Sequence, residues 1–153
     1  LYGCECWTLT KALEAKLKQT QRKMLRMIMG NGRRRLDDGE IEPWIDWLKR
    51  TARAAEQSLE TVGCNEWTST VRKRQWKWAG RVAEMSSNRW AHVALHWTPQ
   101  WSRGCRAQAR PRMRWEDRIK RFLSSMSIEG GWHEVAKTPQ WDNLEGDYVK
   151  FSV

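Results

Sequence analysis

The residues best suited to chemistry in this chain are few, and their spacing argues against catalysis. Asp37-Asp38 and Glu116-Asp117 are its adjacent carboxylate pairs. Transfer of a phosphoryl or nucleotidyl group needs carboxylates that hold divalent metal near the reacting phosphates. Asp37-Asp38 follows Arg33-Arg34-Arg35-Leu36 and precedes Gly39, so it reads as a turn or helix approach, not as a hairpin between apolar strands. Glu116-Asp117 follows Trp115, where acids complement the positive end of a helix. His92, His96 and Cys105 make at most a metal half-site, and two His on a half-buried helix are the simpler reading. Cys4-x-Cys6 is too tight for paired zinc ligands, and with no secretory signal Cys4, Cys6, Cys64 and Cys105 are expected to be reduced thiols. His133 reads as a polar position at a helix start. There is no G-x-S-x-G and no glycine-rich phosphate loop followed by Lys. The expectation is no catalytic residue, no metal and no cofactor.

Binding is the stronger signal. The 153 residues carry 28 Lys plus Arg against 18 Asp plus Glu, a formal net charge of +10. A strongly basic domain commonly serves a polyanionic partner. Residues 64–126 alone carry that excess, and no acid falls between Glu84 and Glu116. From residue 127 onward acids prevail. The stretch 98–114 lacks periodicity, is rich in turn formers, and holds Arg103, Arg106, Arg110, Arg112 and Arg114. Extended arginines of this kind track successive phosphates through bidentate guanidinium contacts.

Helices must position these charges. Residues 10–29 form an amphipathic helix, with Leu13, Leu17, Met24 and Ile28 on an apolar stripe. Lys11, Lys16, Lys18, Arg22, Lys23 and Arg26 fall on the other half, and Gly30-Asn31-Gly32 stops the helix before Arg33, Arg34 and Arg35. A second helix starts after Pro43, carries Trp44, Leu48, Ala55, Leu59 and Val62 on one side, and ends at Gly63. Asn65 is placed to cap a third, with Trp67, Val71, Trp78, Val82 and Met85 inward and Arg72, Lys73, Lys77 and Arg81 off the stripe. Gly80 weakens that helix by about 1 kcal/mol relative to Ala. Asn88 is placed to cap a short helix with Trp90, Val93, Ala94 and Trp97. Trp115, Ile119, Phe122 and Met126 space another, and Trp141, Leu144 and Tyr148 a last one over residues 140–149. The fold expected is all-α: about six amphipathic helices and one Arg-rich irregular arm. Twelve Trp, spread from Trp7 to Trp141, are expected mainly as core anchors and not as a base-stacking platform. The segments expected are 1–36, a basic helix and Arg-rich loop; 37–97, a helical core; 98–114, the arm; and 115–153, the terminal helices. No run of about 18 apolar residues spans a membrane. Leu1 in place of Met suggests a fragment of a longer chain.

Four blocks resemble, in order, the region that follows the palm in non-LTR (LINE-type) retrotransposon reverse transcriptases. The first is Tyr2-Gly3-Cys4-Glu5-Cys6-Trp7, followed by the basic helix with Gln21-Arg22-Lys23-Met24-Leu25-Arg26 and its closing Gly30. The second is Trp76-Lys77-Trp78-Ala79-Gly80-Arg81-Val82-Ala83-Glu84-Met85 with Asn88-Arg89-Trp90, where Arg81 stands at a position usually His. The third is Arg110-Pro111-Arg112-Met113-Arg114-Trp115-Glu116-Asp117-Arg118-Ile119, with Ala109 in place of a Gly. The last is Trp132, Ala136, Trp141, Leu144 and Tyr148. The resemblance implies a thumb-like and C-terminal part of an RNA-directed DNA polymerase. Its catalytic carboxylates and Mg²⁺ belong to a palm absent from this chain, so the chain alone is expected to be inactive. The expected partners are RNA or DNA, as primer-template or target duplex, and the upstream palm, with no membrane and no small-molecule substrate. The expected location is nuclear, within a retroelement ribonucleoprotein, and not secreted. The residues expected to grip nucleic acid are Lys16, Lys18, Arg22, Lys23 and Arg26 on the first helix, Arg33, Arg34 and Arg35 after it, Arg72, Lys73, Lys77 and Arg81 on the third, and the five arginines of the arm. The rival readings are a stand-alone helix-turn-helix DNA-binding protein and a non-functional relic.

Overall fold

A computed structural model describes residues 1–96 and 114–151. The described residues form seven α-helices and one 3-10 turn, with no strand beyond a single antiparallel bridge between Arg35 and Ile41. The all-α expectation holds. The helices are α1 (Lys11–Met29), α2 (Trp44–Val62), α3 (Trp67–Glu84), α4 (Trp90–His96), α5 (Trp115–Ser125), α6 (Trp132–Val135) and α7 (Gln140–Lys150), preceded by the turn at Cys4–Cys6. The short α6 is an element that periodicity alone does not predict. No helix among the described residues is long and apolar enough to cross a membrane. The chain divides into two compact units, residues 10–70 and residues 1–9 with 71–153, the division falling inside α3.

The unit of residues 1–9 and 71–153 has an aromatic core. Trp76 is its hub, 1% exposed. Its ring stacks on Trp141 at 3.6 Å and 9° and meets Phe122 edge-on at 5.6 Å. It also lies 4.7 Å from Tyr148, and its indole N–H donates to the Trp141 carbonyl at 3.1 Å. Ile119, Leu123, Trp132, Val135 and Leu144 belong to the same cluster, together with Val82 and the small side chains of Ala79, Ala83 and Ala136. Gly80 has its reason here: a Cβ on it would lie 3.0 Å from Trp141 Nε1, so a bare backbone lets that indole close on α3. The helical cost of the glycine is offset by aromatic contact. The stripe expected on α3 therefore needs widening, because it included Trp78 and left out Trp76.

Three other expectations for the tryptophans and apolar stripes fail. Trp90, expected inward, is 85% exposed, and Val93 beside it is also exposed. Met126 on the α5 stripe is exposed, although Ile119 and Phe122 are buried. Trp44 and Val62 on α2 are likewise exposed. Spacing identifies a common helical face, yet a face is buried only where another element covers it.

In the unit of residues 10–70, α1 and α2 pack together, each ended by a glycine in the left-handed conformation, Gly30 and Gly63. Its fully covered positions are few: Thr51 and Ala55 on α2, Gln21 on α1, Glu42 in the connection and Thr68 at the start of α3. Gln21 overturns the expected cap. Its side-chain carbonyl accepts the backbone N–H of Trp67 at 2.9 Å, and its amide donates to the Asn65 carbonyl at 3.4 Å. A residue 46 positions upstream thus takes the capping work expected of the Asn65 side chain.

Candidate nucleic-acid interface

On α1, the more protected face runs through Glu14, Leu17, Lys18, Gln21, Arg22 and Leu25. Leu13, Met24 and Ile28 of the expected apolar stripe are exposed, as is Met27 beside them, with Ile28 at 78%. The expected opposition of a buried apolar half and a solvated basic half is thereby corrected. Lys18 pairs with Glu66 at 3.0 Å and Arg22 pairs with Glu56. The Arg26 guanidinium sits 5.8 Å above the Trp47 ring. These three cations serve intramolecular contacts, because the surface they share carries facing acids and an indole. Lys16 and Lys23 are exposed.

The connection after α1 is a small hairpin. Leu36 N–H donates to the Glu40 carbonyl at 2.8 Å and Glu42 N–H to the Arg34 carbonyl at 2.8 Å. Asp37-Asp38 lies in its turn, with the Asp38 carboxylate accepting Glu40 N–H at 3.0 Å. That local bond explains the acidic pair without chemistry. Arg33, Arg34 and Arg35 are exposed along the first arm of the hairpin. Glu42 organises the base: it receives Arg50 Nε at 2.9 Å and Nη2 at 2.7 Å, and the Arg34 N–H at 3.2 Å. These charge-assisted bonds, the Arg50 pair first, hold the Glu42 carboxyl down at about 2 and raise Arg50 above its ordinary value. Arg33 Nε donates to the Glu42 carbonyl at 2.7 Å.

On α3 the expected basic residues separate by face. Arg72 is buried and donates to the Val149 carbonyl at 2.8 Å, so its expected place on a solvated face is corrected. The wide core face of α3 includes position 72, and a carbonyl of α7 satisfies its head. Lys73 is exposed and pairs with Glu145 at 3.3 Å. Lys77 and Arg81 are exposed, and no carboxylate among the described residues pairs with either. Arg74, which pattern reading passes over, joins them at spacing i, i+3, i+7 on one face. It is exposed and donates to the Leu1 carbonyl at 3.0 Å, with Cys4 Sγ at 3.9 Å. Nothing local in the sequence signals this, since the bond to Leu1 closes across more than 70 residues.

The helix after the arm starts as expected. Arg114 is exposed, its N–H donates to the Asp117 carboxylate at 2.7 Å, and its guanidinium lies 3.9 Å from Glu116. Glu116 is buried, accepting Trp132 Nε1 at 3.1 Å and pairing with Lys120 at 3.2 Å. Arg103, Arg106, Arg110 and Arg112 lie outside the described residues, as does Cys105. Cys4 is buried, whereas Cys6 and Cys64 are exposed, all three as free thiols. Partial desolvation on the side facing the protein, with Glu5 and Cys4 nearby, pushes the Cys6 thiol up although its surface is exposed. Among the described residues no group of three or more His, Cys, Asp or Glu is placed to hold a metal.

No family model matches the chain, and no solved structure matches it. The chain is similar to a Caenorhabditis elegans protein described as transposon-derived and uncharacterized, 26% identical over 141 residues. That match covers 89% of this chain and 45% of the worm protein, so the chain spans less than half of that relative's length. The similarity points to a transposon-related origin.

Proposed function

We propose that this chain is a nucleic-acid-gripping module from the C-terminal part of a retrotransposon RNA-directed DNA polymerase, holding primer-template or target DNA mainly through backbone phosphates. The observation that carries the reading is the exposed row Arg74, Lys77 and Arg81 on α3, a ridge of cations with no ion pair to a carboxylate among the described residues, in a chain of net charge +10. Lysine and arginine rows on rigid helices bind phosphate backbones with little regard for sequence. Arg33, Arg34 and Arg35 on the hairpin, and the arginines of residues 98–114, extend the same role. The ordered reverse-transcriptase-like blocks and the transposon-derived relative support the retroelement setting. In this reading the polymerase carboxylates and their Mg²⁺ reside in a palm elsewhere in a longer polypeptide. This chain supplies grip and no bond-making step, and it works in the nucleus within the element's ribonucleoprotein.

The test is anisotropy of a labelled RNA–DNA primer-template, titrated with the chain, using an unlabelled random duplex as competitor. The expected result is binding that the random duplex competes efficiently and that salt weakens. Strong preference for one duplex sequence would instead favour a sequence-specific DNA-binding protein. Absence of binding by a folded sample would overturn the reading.

A further inference from the structure

The α3 ridge also forms one wall of a groove. The turn Cys4–Cys6 returns against α3, held by the Arg74 bonds to Leu1 and Cys4 and by the Gln75 amide donating to the Trp7 carbonyl. Between turn and helix lies a hollow of about 400 Å³ lined by Glu5, Cys6, Arg74, Lys77, Trp78 and Arg81. Three of its six lining residues are cations, one is an indole and one a carboxylate. Trp78 is half-buried, packed on one side against the core cluster while contributing to this wall. Lys77 and Arg81 also border a second hollow of about 600 Å³, where Glu84, Asp142 and Glu145 stand beside Lys137 and offset the cations.

We infer that the groove between the Cys4–Cys6 turn and α3 is a subsite for one unpaired nucleotide of a single-stranded nucleic acid, its phosphate on Arg74, Lys77 and Arg81 and its base against Trp78. The inference rests on the nucleic-acid reading above and sharpens it. A ridge of cations alone serves duplex and single strand alike. An indole recessed in a groove discriminates, because a base within a duplex is already stacked and paired, whereas an unpaired base is free to enter. The volume is within the range of small-ligand sites. Glu5 offers an acceptor to an N–H on the edge of the base, such as the thymine N3–H, on a different wall from the phosphate. Cys6, exposed and part of the groove lining, is a natural reporter, and exposed Cys64, which does not line the groove, is its internal control.

The experiment compares an eight-nucleotide oligo-dT with a blunt random duplex, using the chain and two variants, Lys77→Gln/Arg81→Gln and Trp78→Leu. Alkylation of Cys6 and Cys64 by iodoacetamide is followed by peptide mass spectrometry. The subsite predicts that oligo-dT slows alkylation of Cys6 but not of Cys64. It predicts that Trp78→Leu weakens oligo-dT binding by about tenfold while leaving duplex binding nearly unchanged. It predicts that Lys77→Gln/Arg81→Gln weakens both ligands. Should Trp78→Leu fail to fold, Cys6 protection in the unaltered chain and its loss in the double variant still decide. Oligo-dT binding without Cys6 protection, or undiminished in the double variant, overturns the subsite while leaving the grip reading intact. Binding of neither ligand overturns both.

Discussion

The two compact units solve the same problem, holding amphipathic helices together, in opposite ways. In the unit of residues 1–9 and 71–153, apolar and aromatic side chains from α3, α5, α6 and α7 form one cluster around Trp76, and the ion pairs Lys73–Glu145 and Lys120–Glu116 lie outside that core. In the unit of residues 10–70, most covered positions are polar, namely Gln21, Glu42, Thr51 and Thr68, and the order comes from Lys18–Glu66, Arg22–Glu56 and Arg50–Glu42. Large apolar residues such as Met27, Ile28, Ile45 and Val62 stay exposed there. The contrast bears on function. Where packing is apolar, cations such as Lys77 and Arg81 remain uncommitted, and where packing is ionic, Lys18 and Arg22 are already paired. A count of cations therefore overstates the phosphate-binding capacity of both helices, since on α3 Arg72 is buried on a carbonyl and Lys73 is paired, leaving Arg74, Lys77 and Arg81 for the ridge.

The largest effect that separates the two strategies is expected from Trp76→Ala. Removing the aromatic hub should cost about 3–5 kcal/mol, measured by urea denaturation followed by near-ultraviolet circular dichroism. A cost below about 1 kcal/mol would mean that the core does not depend on its stacked centre. Gly80→Ala comes next. Helix propensity alone favours alanine by about 1 kcal/mol. The new Cβ meets Trp141, which its stack on Trp76 holds in place, so a net loss of about 1–2 kcal/mol is expected in the same assay. A gain in stability would show that Trp141 can retreat.

Gln21→Ala should cost about 1 kcal/mol, because the Trp67 N–H is deprived of its acceptor. Amide hydrogen exchange would report it as faster exchange in the first turn of α3. Unchanged protection there would return the capping role to solvent. The smallest effect near neutral pH, and the one with a distinct signature, concerns Glu42. Its carboxyl in the folded chain is depressed to about 2 from an ordinary 4.5. It therefore contributes stability that is fully present above pH 4.5 and is lost as pH falls toward 2. Glu42→Gln should flatten that part of the stability–pH curve, and an unaltered acid limb would detach the hairpin base from the ion pair.

Much of the helical plan is legible in the residues themselves. Spacing places the first helix over 10–29, and it runs Lys11–Met29; it places the last over 140–149, and that helix runs Gln140–Lys150. Gly30 and Gly63 mark the ends expected of them because the left-handed turn that closes a helix suits glycine. The hub is not legible. Trp76 and Trp78 both fit a generous apolar face, and Trp141, 65 residues away, decides between them. The inward face of α1 is hidden for a related reason, since Lys18 and Arg22 count as surface charge until Glu66 and Glu56 are seen opposite. Lys77 and Arg81 are legible as candidates because they fall off the apolar stripe. The groove beside them is not, because its second wall is built by residues more than 65 positions upstream.

The central claim is that the α3 ridge holds nucleic-acid backbone by charge. Its most direct test is the slope of log affinity against log salt for the RNA–DNA duplex, measured on the unaltered chain and on Lys77→Gln/Arg81→Gln. Each duplex phosphate left without its cation should reduce the steepness by about 0.9, so the double variant is expected to bind more weakly with a slope shallower by about 1–2. An identical slope and affinity in both proteins would contradict the account.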